Sequence, residues 1–93
     1  MVKVSDLVAE FLKEKQIEVV FGIIGSANSH IFDSISKLGY TKIINTHHEQ
    51  AAVMAMGAYY RASGKVSATI VTAGAGASNA VTGIVSNWAD SIP

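Results

Sequence analysis

The chain contains no cysteine, which excludes a disulfide framework, a thiolate metal site and a thiol nucleophile. Its single proline is the last of its 93 residues, and no linker, repeat or low-complexity segment interrupts it. Charge is equally scarce. Asp, Glu, Lys and Arg make up 15% of the residues, against about 25% in an average globular chain. Seven basic side chains balance seven acidic ones, so the net charge is zero. That excludes a basic nucleic-acid clamp, an acidic tail and a polybasic membrane patch. No apolar run approaches the roughly 18 residues of a transmembrane helix, and the N-terminus lacks a signal-peptide layout. The expectation is one soluble, cytoplasmic α/β domain with neither nucleic acid nor membrane as a partner.

The shortage of charge is lopsided. Seven of the fourteen charges lie in the first 18 residues, whereas residues 50–93 carry only Arg61, Lys65 and Asp90. A stretch so poor in charge has little solvated face, and is expected to lie inside something larger or under a partner.

Val4, Leu7, Val8, Phe11 and Leu12 recur at helical spacing, with Asp6, Glu10, Lys13 and Glu14 opposite. They predict an amphipathic helix with Ser5 as N-cap and an apolar face turned inward. Val19 to Ile24, closed by Gly25, reads as a strand buried on both faces. A Gly-Ser-Ala-Asn-Ser turn leads into a second helix whose Ile31, Phe32, Ile35 and Leu38 share a face and whose C-cap is Gly39. Lys42 to Thr46 predicts a second strand, and Glu49 or Gln50 opens a third helix, rich in Ala and Gly and ended by Gly64. Ser67 to Thr72 predicts a third strand, and a fourth helix is expected from about Ser78 to Asp90. Met54, Met56, Tyr59, Tyr60 and Trp88 read as core or interface residues. The order αβαβαβα implies a three-layer α/β/α fold around a parallel sheet. A three-stranded parallel sheet has two open edges, and the chain stops at a proline after a helix. It is therefore expected to be part of a longer chain.

In such a sheet, ligands bind outside the carboxyl ends of the strands. Three segments converge there: Gly25 to Ser29, His47 to Gln50, and Thr72 to Asn79. Glu49 is the only acid between Asp33 and Asp90. It reads either as a helix N-terminal acid favoured by the dipole or as a catalytic carboxyl in apolar surroundings, suited to proton exchange. His47 and His48 are adjacent and point apart in an extended segment, and no further ligand is spaced for a metal, so none is assigned. His30 faces the crevice or its own turn. Gly74-Ala75-Gly76 is a lone G-x-G, consistent with an anion at a helix start or with close helix–strand packing.

Two strings are more specific. One is His48-Glu49-Gln50-Ala51-Ala52 with Met54-Ala55 and Gly57 to Lys65. The other is Thr72-Ala73-Gly74-Ala75-Gly76-Ala77-Ser78-Asn79 through Gly83, closing in Asp90-Ser91-Ile92-Pro93. With Phe21-Gly22-Ile23-Ile24-Gly25 set against the family's F-G-x-P-G, they span essentially the whole chain. It resembles the N-terminal pyrimidine-binding domain of thiamine-diphosphate-dependent enzymes of the acetolactate synthase and pyruvate oxidase group.

The resemblance implies that Glu49 hydrogen-bonds the cofactor's aminopyrimidine and exchanges a proton with it. The parent enzyme would then decarboxylate a small 2-keto acid and join the remaining unit to an acceptor. By the same comparison Ile24, Gly25, Ser26, Thr72, Ala75 and Asn79 line thiamine diphosphate. Ile24 and Ala75 stand where the family carries prolines, and His47 where it carries arginine. The family holds Mg2+ and the diphosphate on a separate C-terminal domain through a G-D-G…N motif that this chain lacks. Its pyrimidine domain has six strands in the order 2-1-3-4-6-5, of which three are expected here. A second subunit completes its active site, so the charge-poor half is expected to be interface. The 93-residue chain alone is expected to be inactive. The alternatives are a sulfoacetaldehyde acetyltransferase-like enzyme, suggested by Ile24-Gly25-Ser26-Ala27, a split enzyme with its diphosphate domain on another chain, and a non-catalytic α/β module that binds an anion or nucleotide.

Overall fold

A computed structural model describes residues 2–93. Four helices alternate with three strands: α1 (Val4–Glu14), β1 (Val19–Gly22), α2 (Ser29–Leu38), β2 (Lys42–Asn45), α3 (Glu49–Ser63), β3 (Ala68–Ile70) and α4 (Ala75–Ala89). The sheet is wholly parallel, in the order β2-β1-β3. Val20 aligns with Ile43 on one side and with Ala68 on the other. The chain thus forms the expected α/β fold.

Alternation along β1 divides its side chains between two layers. Val20 joins Ala9 and Leu12 of α1 and Ile35 of α2 in the main core, flanked by Ile31, Leu38, Ile43 and Ile70. Phe21 points the other way and meets Tyr59 of α3 edge-to-face, 6.2 Å between centroids. Helices α1 and α2 therefore cover one face of the sheet and α3 the other, while α4 packs principally against α3. The path from β1 to β2 runs across one face, and the path from β2 to β3 returns past β1 across the opposite face. Both crossovers then have the same hand. The chain leaves β1 and β3 toward opposite faces, so the gap between their carboxyl ends is the topological switch point.

Gly39 and Gly64 end α2 and α3 in the left-handed conformation, as expected of C-caps. Several expectations are corrected. Helix α1 starts at Val4 with Lys3 as N-cap, and Ser5 lies inside it. Its hydroxyl sits 2.9 Å from the buried Ser34 hydroxyl, which donates to Asp6 at 2.6 Å. The predicted apolar face is also rotated. Ala9 and Leu12 are buried, but Val4, Leu7 and Phe11 are 75%, 55% and 53% exposed. The Ser34 tie to Ser5 and Asp6 turns the polar side of the first turn toward α2, leaving the outer half of the stripe uncovered. Strand β1 ends at Gly22 and β3 at Ile70, so Ile23, Ile24 and Thr72 lie in irregular backbone. Helix α4 begins at Ala75, because Gly74 turns the chain sharply (φ 76°, ψ −126°), a conformation only glycine adopts readily. Trp88 is 85% exposed and lies outside this chain's core, as do Val81, Ile84 and Val85 on the same outer stripe of α4. Among the described residues, no helix is long and apolar enough to cross a membrane.

Candidate functional site

Glu49 is the first residue of α3, half-buried at the carboxyl end of the sheet. The turn that delivers it is held by its own side chains. Thr46 donates its hydroxyl to the His48 carbonyl at 3.0 Å. His48 is the helix N-cap, and its Nδ1 accepts from the Gln50 N–H at 3.0 Å. That bond requires an unprotonated Nδ1, with the ring proton on Nε2. Histidine is not among the favoured cap residues, so nothing in the residue order points to this role. His47 and His30 are exposed. Among the described residues no cluster of three or more His, Asp or Glu is placed to hold a metal ion.

From across the α3–α4 contact, Asn79 donates through Nδ2 to Glu49 Oε2 at 3.3 Å. The other oxygen faces Gly76. A Cβ built there would stand 3.3 Å from Oε1 and only 2.8 Å from the Thr72 methyl. Glycine thus leaves the carboxylate open and lets the start of α4 approach Thr72. Gly25 does the same from the β1 side, where a Cβ would come within 2.6 Å of Thr72 Cβ. The Thr72 hydroxyl accepts from the Ala27 N–H at 3.3 Å, so the loops after β1 and β3 close on each other around this side chain.

Five positions therefore meet: Gly25, Thr72, Gly76, Asn79 and Glu49. Among the described residues, the side chains of three other candidates form no hydrogen bond with this cluster. Ile24 is 58% exposed and shares a groove with Ser29, Phe32 and Ile43 on the α2 side. Ser26 and Ala75 are exposed at the turn and at the first residue of α4. Within Gly74-Ala75-Gly76, one glycine makes the turn and the other permits the close approach to Thr72. Both glycines of the motif therefore have a role in turning or packing the chain.

Asn28 is a residue that sequence reasoning passed over as an ordinary turn position. It is 3% exposed. Its Oδ1 accepts from the Gly25 N–H at 2.7 Å, and its Nδ2 donates to the Ile23 carbonyl at 3.2 Å. No local signal distinguishes such an asparagine from a solvated one.

The arrangement presents an acid with one oxygen held and the other uncovered, between two glycine-lined loops at a switch point. A carboxylate so placed can exchange a proton or a hydrogen bond with a ligand that reaches Oε1.

Comparison with known proteins gives a consistent result. The family described as thiamine pyrophosphate enzyme, N-terminal TPP binding domain matches residues 2–93. The chain is 43% identical over 89 residues to the acetolactate synthase large subunit of Haemophilus influenzae, covering 96% of this chain and 16% of that one. The large subunit from Lactococcus lactis is 42% identical with the same coverage. The isozyme 3 large subunit of Escherichia coli is 38% identical over 93 residues, all of this chain and 16% of its own. The chain therefore spans about 16% of the length of these curated relatives.

Proposed function

Since the chain belongs to the N-terminal TPP-binding domain family of thiamine pyrophosphate enzymes, we propose that it is the pyrimidine-binding part of an acetolactate synthase-like enzyme. The observation that carries this reading is Glu49, fixed at the mouth of the sheet with Oε2 bonded to Asn79 and Oε1 open beside Gly76. When bound, thiamine diphosphate supplies the electron sink for decarboxylating a 2-keto acid and forming a new carbon–carbon bond.

This chain's part is proton handling and placement. Asn79 donates to Oε2, which leaves Oε1 as the oxygen that meets the ligand. The His48 cap and the Thr46 hydroxyl fix the first turn of α3, and with it the carboxylate. Thr72, flanked by Gly25 and Gly76, sets the width of the crevice. Mg2+ and the diphosphate belong to another part of the enzyme in this reading. A second subunit covers the exposed stripe of α4. The lone domain is inactive, and the compartment is the cytoplasm. The names of the relatives favour acetolactate synthase-like chemistry over the sulfoacetaldehyde acetyltransferase-like alternative.

The test is calorimetric titration of thiamine diphosphate with Mg2+ into the longest natural chain carrying this domain, as wild type and Glu49→Gln, alongside turnover of a 2-keto acid. Binding that persists while turnover falls roughly 10²–10⁴-fold in the variant supports Glu49 as the proton-exchanging acid. Unchanged turnover removes it from that role.

A further inference from the structure

The segment leaving β1 belongs to no strand or helix, yet it supplies one wall of the crevice. Gly25 must sit where its missing Cβ leaves room for Thr72. The residue between the pinned positions, Ile24, is largely solvent-exposed, so its own burial contributes little to holding the loop. Something else must hold it.

We propose that Asn28 is a positioning residue for the ligand crevice, its buried carboxamide clamping the loop on both sides of Ile24 and so fixing Gly25 against Thr72. The clamp uses both ends of the amide. Oδ1 takes the Gly25 N–H and Nδ2 gives to the Ile23 carbonyl, one residue to each side of Ile24. The Asn28 backbone joins the same turn: its N–H reaches the Gly25 carbonyl at 3.4 Å, and its own carbonyl accepts from Ile31 and Phe32 of α2. The loop is thereby fastened to the first turn of a packed helix. Asn28 occupies the N-cap position of α2, but its side chain caps nothing in that helix and is turned back onto the loop instead. Burial of the amide away from water makes both bonds costly to lose, because each leaves a buried polar group unpaired.

The same geometry suggests how the clamp can be replaced. Among the described residues the Ile24 N–H has no hydrogen-bond acceptor, so proline at that position removes no donor in use while fixing one backbone angle of the loop. If Asn28 acts by restraining the loop, Ile24→Pro should restore what Asn28→Ala removes.

This proposal rests on reading the crevice as the pyrimidine site, and its test separates the two. Hydrogen–deuterium exchange by mass spectrometry is followed on the longest natural chain, in peptides spanning residues 22–29, together with calorimetric thiamine diphosphate binding. Expected for Asn28→Ala is at least tenfold faster exchange confined to that segment and about tenfold weaker cofactor binding. Asn28→Ala/Ile24→Pro should recover most of the binding, and the slow exchange of the segment apart from the Gly25 amide, whose acceptor is gone. Exchange that rises throughout the domain, or a double variant no better than the single one, overturns the proposal. Should Asn28→Ala not fold, Ile24→Gly in the native background decides it. The clamp predicts unchanged protection of the Gly25 amide, and lost protection overturns the clamp. Faster loop exchange with cofactor binding unaltered also overturns the positioning role. If Glu49→Gln is then silent in both binding and turnover, the reading of the crevice falls as well.

Discussion

On one face of the sheet, α1 and α2 meet β1 through Leu12, Val20 and Ile35, large side chains that fill space in the ordinary way. On the other, α3 and α4 meet where side chains are missing. Gly83 lies so close to α3 that a Cβ would stand 2.6 Å from Val53 Cβ, and Gly57 abuts Asn87, whose Nδ2 donates to the Val53 carbonyl at 3.0 Å. The first face is a store of apolar burial. The second is a close-fitting joint, and that joint carries Glu49 and Asn79. The difference teaches that the site has been placed where backbones are held at short range. There a hydrogen bond between side chains of two helices needs little reach, and the register of α4 on α3 decides whether it forms.

Ile35→Ala would break the comparison most severely. The side chain is 1% exposed, and its truncation should cost about 2–5 kcal/mol by lost burial and residual cavity, read as a shift in the chemical-denaturation midpoint. The α3–α4 joint is then expected to fail only with global unfolding. Gly83→Ala tests the joint itself. Val53 cannot move its Cβ without moving the α3 backbone, so overpacking of about 1–3 kcal/mol is expected. Asn79 should lose its bond to Glu49 as α4 shifts. Gly57→Ala sharpens the contrast, because the clashing atom is the end of the Asn87 side chain. A helix-propensity gain of about 1 kcal/mol then offsets the disturbed Asn87 bond, and the net change should be close to zero. Equal costs at the two glycines would refute the close-fit account.

The smallest effect belongs to neither face. Lys65 pairs with Glu18 at 3.2 Å between the loops that precede β3 and β1. Its pKa is raised by the hydrogen bond it donates to the Glu18 carboxylate and then by that group's charge. A raised lysine pKa means the pair's stabilisation is fully present below the ordinary lysine value and fades as pH climbs through the raised one. Both side chains are at least half exposed, so Lys65→Met should lower the melting temperature only slightly near neutral pH. The difference should vanish in strong alkali and shrink in high salt.

Much of this was legible beforehand, for identifiable reasons. Short β-branched runs punctuated by glycine set out the strands, and Gly39 and Gly64 marked helix ends. Glu49 stood out because no other acid lies near it in sequence. What escaped notice depends on tertiary geometry. An apolar stripe at Val4, Leu7 and Phe11 says that a face exists, not which part of it is covered. Histidine as a cap and asparagine as a buried clamp use side chains whose usual places are elsewhere. The start of α4 was missed because Gly74 makes the turn without any preferred capping side chain.

Thr72 has a consequence for how this site can vary. Its methyl occupies the hollow left by two glycines from different loops, and its hydroxyl receives the Ala27 N–H from the loop after β1. Positions 25, 72 and 76 consequently behave as one unit of inheritance. A larger side chain at either glycine is an obstacle while Thr72 stays as it is, and a smaller residue at 72 alone leaves a gap. Only paired exchanges trade one occupant for the other at constant volume, so substitutions here should be strongly non-additive. Screened one position at a time, the trio would look immutable.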